Sequence, residues 1–176
     1  MPGSLTLVVE CPLGLRMPAF LTVGRSMTSR GESDDMSGYK PDGIQALVPF
    51  LRITGVAKFV QFAEGALGAE VLARTAGDDG VVFYATLRFD DTSVFVQEAE
   101  APAQAVPAEL YLYVRDLDGS YRKALAAGAQ SVCEPQDHYH GDRNAAVLDK
   151  WGNRWWFATN LEMLTDEQVH ERRQSP

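Results

Sequence analysis

Apolar residues recur along this chain in two similar successions. Residues 46–98 open on the extended run Leu47-Val-Pro-Phe-Leu-Arg-Ile53, and residues 109–159 open on Leu110-Tyr-Leu-Tyr-Val114. After the first run, Val56, Phe59, Val60, Ala63 and Leu67 fall at helical spacing, and Gly68 stands where a left-handed helix terminator is wanted. An amphipathic helix lying on a sheet is therefore predicted over residues 56–67, and its counterpart in the second unit over residues 121–127. The pairs Gly68-Ala69 and Gly128-Ala129, about sixty residues apart, end both helices and mark an internal repeat.

Each unit then turns to extended sequence. Residues 81–89 and 93–97 flank Asp90-Asp-Thr92, which predicts a hairpin with a polar tip. Asn144-Ala-Ala-Val-Leu148 and Arg154-Trp-Trp-Phe-Ala158 are joined by Asp149-Lys-Trp-Gly-Asn153, in which Gly152 and Asn153 are expected to supply positive φ. A Pro- and Ala-rich connector, residues 98–107, joins the units. The implied class is α+β, one strand, one helix and three strands used twice. Residues 1–43 read as an N-terminal extension and polar linker, expected to be poorly ordered, with Met36 as an alternative start; residues 44–164 read as the folded domain, and residues 165–176 as a polar tail that opens a helix at Asp166 and Glu167.

Composition narrows the partners. At 176 residues and 45% hydrophobic, the chain is large enough to bury a core without metal or disulfide staples. A formal charge of −8 with no Lys/Arg cluster argues against nucleic acid and anionic membranes, since phosphate surfaces draw concentrated positive charge. A small molecule is the expected partner. Two cysteines, Cys11 and Cys133, are too few for a disulfide framework, and with no secretory pattern a reducing, cytoplasmic location is expected. No covalent-hydrolase or phosphate-loop pattern occurs.

Phe62-Ala-Glu-Gly-Ala-Leu-Gly-Ala-Glu70, Tyr113-Val-Arg-Asp-Leu-Asp118, Ala126-Ala-Gly-Ala129, Gly141-Asp-Arg143 and Asp149-Lys-Trp-Gly-Asn-Arg-Trp-Trp156 together resemble the vicinal-oxygen-chelate superfamily, in its glyoxalase and bleomycin-resistance branch of PhnB-like proteins. The resemblance implies two βαβββ modules whose curved mixed sheets enclose a cleft, commonly completed by homodimerisation. In the family's metalloenzymes a His, Glu, His, Glu set from equivalent strands holds a divalent metal. Here those positions fall near Val48, at Gln97 or Glu98, at Glu109 and at Trp156. Val and Trp do not ligate metals, so no metal cofactor is expected there.

The remaining chemistry is weighed on the residues themselves. His138 and His140 alternate on an extended chain and point the same way. They line a loop or donate to a pocket, or else hold one ion with Glu134 or Asp142, or join Glu109 in a shifted site for Zn, Ni, Mn or Fe. Tyr111 and Tyr113 share a strand face, and Trp156 lies opposite Trp155 and Phe157. Trp156, Tyr111 and Tyr113 are expected at a pocket for a flat ligand, with Glu109, Arg143, His138 and His140 as further ligand-binding candidates. Arg143 is also read as a structural ion pair, and Asp116 and Asp118 as helix caps. Three functions follow: a metal-independent binding protein for an aromatic or amphipathic compound; a metal-dependent lyase, isomerase or dioxygenase with a shifted site; or a non-catalytic structural or partner-binding subunit.

Overall fold

The computed structural model describes residues 8–10, 16–18 and 40–174. The expectations of a poorly ordered N-terminal stretch and of a start at Met36 concern residues that lie largely outside that set. Strand β1 (Val8–Glu10) pairs antiparallel with β2 (Arg16–Pro18) in a two-stranded ladder, within a unit, residues 1–42, separate from residues 43–176.

The larger unit contains the predicted repeat. In its first module, β3 (Phe50–Ile53) leads to α1 (Val56–Leu67), then to β4 (Glu70–Ala76), β5 (Val82–Phe89) and β6 (Thr92–Glu98). A short 3-10 turn at Pro102–Gln104 precedes the second, in which β7 (Glu109–Tyr113) leads to α2 (Leu117–Ala126), β8 (Gln130–Asp137), β9 (Asp142–Leu148) and β10 (Arg154–Asn160). Each module folds into a four-stranded mixed sheet, ordered β3-β6-β5-β4 and β7-β10-β9-β8, with the first strand parallel to the last and the other pairings antiparallel. The sheets are not closed. Helix α3 (Asp166–Gln174) follows; its Thr165 and Gln168 cap each other reciprocally, and it buries nothing.

Period-two alternation sorts each strand into a helix side and an open side. Leu51, Ile53, Ala85, Leu87, Val94 and Val96 of the first sheet meet the buried stripe of α1, namely Val56, Phe59, Val60, Ala63 and Leu67. Ala145, Val147, Trp155 and Phe157 of the second sheet join the same core, which runs continuously through both modules. Trp155 stacks on Phe59 at 6.5 Å and tilts against Phe89 at 5.7 Å, so one indole bridges the two modules.

Local chemistry explains where the elements begin and end. Gly68 ends α1 at φ 74, as predicted, because a left-handed residue there costs no Cβ strain. Helix α2 starts at Leu117 rather than 121, since the Asp116 side chain accepts from Gly119 N at 2.9 Å and caps the helix there. The first strand is shorter than predicted, starting at Phe50, and Leu47 is 84% exposed ahead of Pro49. In the last hairpin Gly152 alone takes a positive φ, 85. Asn153 instead is fully buried and hydrogen-bonded.

That hairpin loop is built around a carboxylate. Asp149 Oδ1 accepts from the backbone N of Trp151 and of Asn153, both at 2.9 Å, and Oδ2 accepts from Asn153 Nδ2 at 2.8 Å and Trp155 Nε1 at 2.9 Å. Asn153 Oδ1 in turn accepts from Ala108 N, just ahead of β7, and Trp151 Nε1 reaches Thr54 O of the first module at 2.7 Å. Asp149→Ala would strand four donors in a buried site. We expect a loss of about 3 kcal/mol in urea-induced unfolding, with Asp149→Asn in between.

Candidate ligand-binding face

The side of the second sheet turned away from the helices carries Tyr111 and Tyr113, two of the most exposed aromatic side chains among the described residues. Strand register places the residues in rows. Glu109 pairs with Arg154; Tyr111 with Trp156 and, beyond it, Ala146; Tyr113 with Ala158 and then Asn144; and Asn160 with Asp142. Tyr111 is 51% exposed and Tyr113 61% exposed, their rings 5.4 Å apart and edge-on. Beside the free edge of β7, a cleft of about 250 Å³ runs between Leu110, Leu112 and Trp155 on one side and Pro49 and the tip of the β5–β6 hairpin on the other, with Tyr111 and Tyr113 at its rim.

Polar groups fix the aromatic ones. Trp156 Nε1 donates to Glu109 Oε1 at 2.7 Å and Arg154 Nη1 donates to the same oxygen at 3.2 Å, which holds the Glu109 carboxyl below its usual range, the indole bond contributing most. At the far end, Asp142, nearly buried, accepts from Tyr113 OH at 3.1 Å and Asn160 Nδ2 at 2.8 Å, with His140 Nε2 at 4.0 Å. Donation to Asp142 raises the Tyr113 phenol above its ordinary value, and burial with the Asp142 charge raises Tyr111. The Asn144 side chain near the Tyr111 phenol pulls it the other way, less strongly. His138 and His140 stack at 5.3 Å in the turn leading into β9, with Tyr139 edge-on to His140.

The structure thus brings Trp156, Tyr111, Tyr113 and Glu109 onto one face, with His140 at its Asp142 end. Arg143 is not on it. One residue after Asp142, it points to the helix side, where Nε and Nη2 grip Asp118 at 3.0 Å each and Nη1 meets Asp137 at 2.6 Å. Its expected structural ion pair is present, on the side of the sheet opposite Tyr111 and Trp156. Asp118 is lowered by that guanidinium. Asn144 and Asn160, which share this face with Asp142, were not singled out from the sequence; counting alternate positions outward from the buried Ala145 and Val147 would have put Asn144 on the open face.

The residues present do not fit the family's metal. Glu98 Oε1 and Oε2 accept from the backbone N of Gly55 and Val56 at 2.6 and 2.8 Å, capping α1, so that carboxylate is spent. Val48 lies before β3, Trp156 is an indole, and Glu109 is held by Trp156 and Arg154 at the opposite end of β7 from His140. Among the described residues no three His, Cys, Asp or Glu side chains converge as a donor set, and Glu109, His138 and His140 do not meet. By register, the first-module partner of the Tyr111–Trp156 row is Phe50–Phe95, an edge-on pair at 6.4 Å; Phe50 precedes Val56 by the same six positions that separate Tyr111 from Leu117. No helix among the described residues is long and apolar enough to cross a membrane.

Paired βαβββ modules with open mixed sheets define a class, and comparison with known proteins gives the family. Residues 43–157 match the model of the Glyoxalase/Bleomycin resistance protein/Dioxygenase superfamily, and the chain belongs to that family. It is 30% identical over 136 residues to an uncharacterized Mycobacterium tuberculosis (strain H37Rv) protein, Rv0887c, covering 70% of this chain and 79% of that one. Among solved structures, TioX from Micromonospora sp. ML1 is 25% identical with a TM-score of 0.58, over 66% of this chain and 99% of that chain. A glyoxalase-related enzyme from Fulvimarina pelagi, 17% identical with a TM-score of 0.52 over 66% of this chain and 88% of that chain, shares the fold.

A raised phenol pKa stabilises the fold at pH values below its ordinary 10.0, and that contribution disappears as pH climbs through the raised value. In an absorbance titration at alkaline pH, Tyr113 and Tyr111 are expected to ionise late. Asp142→Asn should bring both down toward the ordinary value, and Tyr113→Phe should remove one late phenol.

Proposed function

We propose that this protein is a metal-independent small-molecule binding protein of the PhnB-like kind, holding an aromatic or amphipathic compound against the open face of its second sheet. The observation that carries the reading is the Tyr111–Trp156 row, with the indole pinned by Glu109 where a metalloenzyme of the family would place a ligand. Fixed aromatic rings offer large contact area at small entropic cost, and polar residues at both ends would orient the guest. A second copy of the chain is proposed to complete the cleft as a homodimer, in the cytoplasm.

A metal-dependent lyase, isomerase or dioxygenase is the competing reading, and the stacked His138 and His140 beside Asp142 are what favour it. Elemental analysis with thermal shift decides between them. Near-stoichiometric metal with a rise in Tm on adding Zn, Ni, Mn or Fe would establish the enzyme reading, because a ion bound only by the native state must stabilise it. Under the binding reading, planar compounds quench tryptophan fluorescence saturably, and Trp156→Ala weakens binding about tenfold, ~1.4 kcal/mol. Failure of every planar compound to bind would leave a structural or partner-binding subunit.

A further inference from the structure

The binding reading leaves the ligand's chemistry open, and the polar atoms of the face narrow it. Along the Tyr113 row and its neighbours the donors are already committed. Tyr113 OH donates to Asp142 Oδ2 and Asn160 Nδ2 to Asp142 Oδ1. Two rows away, Trp156 Nε1 and Arg154 Nη1 both converge on Glu109 Oε1. These bonds end on two carboxylates, Glu109 and Asp142, which give the face its negative charge.

One acceptor remains unused. Asn144 Oδ1 is buried and has no hydrogen-bond partner, and Asn144 lies on the open face, in register with Ala158 and Tyr113. An acceptor removed from water and left without a donor costs about 1–3 kcal/mol. A guest that brings an N–H to it recovers that cost. A guest bearing a carboxylate or phosphate brings another acceptor close to the Asp142 carboxylate.

Resting on the binding reading, we propose that this face selects a planar aromatic molecule carrying an N–H donor, an amine or amide, with the ring stacked along Tyr111 and Trp156 and the donor directed at Asn144 Oδ1 beside Asp142. An amine that is protonated at neutral pH fits best, since the aromatic faces and Asp142 both favour positive charge. Ligands whose polar groups are oxyanions are disfavoured.

Three ligands with one ring system test this: 4-aminoquinoline, which carries the donor; 4-methylquinoline, which lacks it; and quinoline-4-carboxylate, which carries an anion. Binding is read by titration of the full chain at neutral pH. The amine is expected to bind at least tenfold tighter than the methyl compound and the carboxylate most weakly. Asn144→Leu, close in size and without the acceptor, and Asp142→Asn should each bring the amine-to-methyl ratio toward one, with near-ultraviolet circular dichroism checking that the fold is kept. Equal binding of all three overturns the selectivity while leaving the binding reading intact. Tightest binding of the carboxylate also overturns it, and would mean that Asn144 turns its nitrogen to the guest. No binding of any of the three, nor of a wider planar panel, overturns the binding reading and this inference with it.

Discussion

The buried carboxylate of Asp149 is the interaction on which the rest of the second module depends. A five-residue hairpin loop has several ways to close, and hydrophobic pattern alone does not choose among them. Asp149 chooses by collecting four donors on two oxygens, two of them from the backbone of its own loop and one from an indole of β10. A buried carboxylate is tolerable only when its lone pairs are satisfied in this way. Once they are, Trp155 has one orientation, against Phe59 and Phe89, and the residue after it must point to the other side. Trp156 is presented to the open face because Trp155 is anchored to the core.

The same loop carries the constraint across the chain. Asn153 hands the network on to Ala108 N, which sets the start of β7, and Trp151 ties the loop to Thr54 O at the end of β3. The register of β7 against β10 then follows, and with it the adjacency of Tyr111 to Trp156 and of Glu109 to Arg154. The candidate site is therefore positioned by a network that has no atom in it. The loop that fixes the register of the second sheet thereby also fixes which side chains lie together on its open face.

How much of this was legible depends on what each residue's signal encodes. The repeat, both sheets' strand content and the Gly68 terminator were visible because period and glycine act locally. The aromatic face was visible in part, since alternation along Leu110-Tyr-Leu-Tyr puts two tyrosines on one side. For Arg143 both an ion pair and ligand contact stayed open, because a Gly-Asp-Arg string does not say which of its neighbours faces the sheet's open side; Asp118, twenty-five residues away, holds it on the helix side. Asn153 was read for its turn propensity when its side chain was wanted as a buried donor and acceptor. Such long-range polar pairings leave no periodic trace in one sequence.

Divergence between the modules explains why the face is aromatic and acceptor-rich. The rows that correspond by register, Phe50–Phe95 and Tyr111–Trp156, are both aromatic, the first as an edge-on ring pair. What differs is the use of carboxylates around them. In the first module Glu98 turns to the helix side and supplies the cap that Gly55, with its left-handed backbone, has no side chain to provide. In the second, Asp116 caps α2 locally, and that task asks nothing of the strand carboxylates. Glu109 and Asp142 remain on the open face, each binding neighbouring donors and each held apart from the other by the length of β7. Two separated carboxylates with aromatic rings between them cannot chelate one ion, but they can orient one elongated guest.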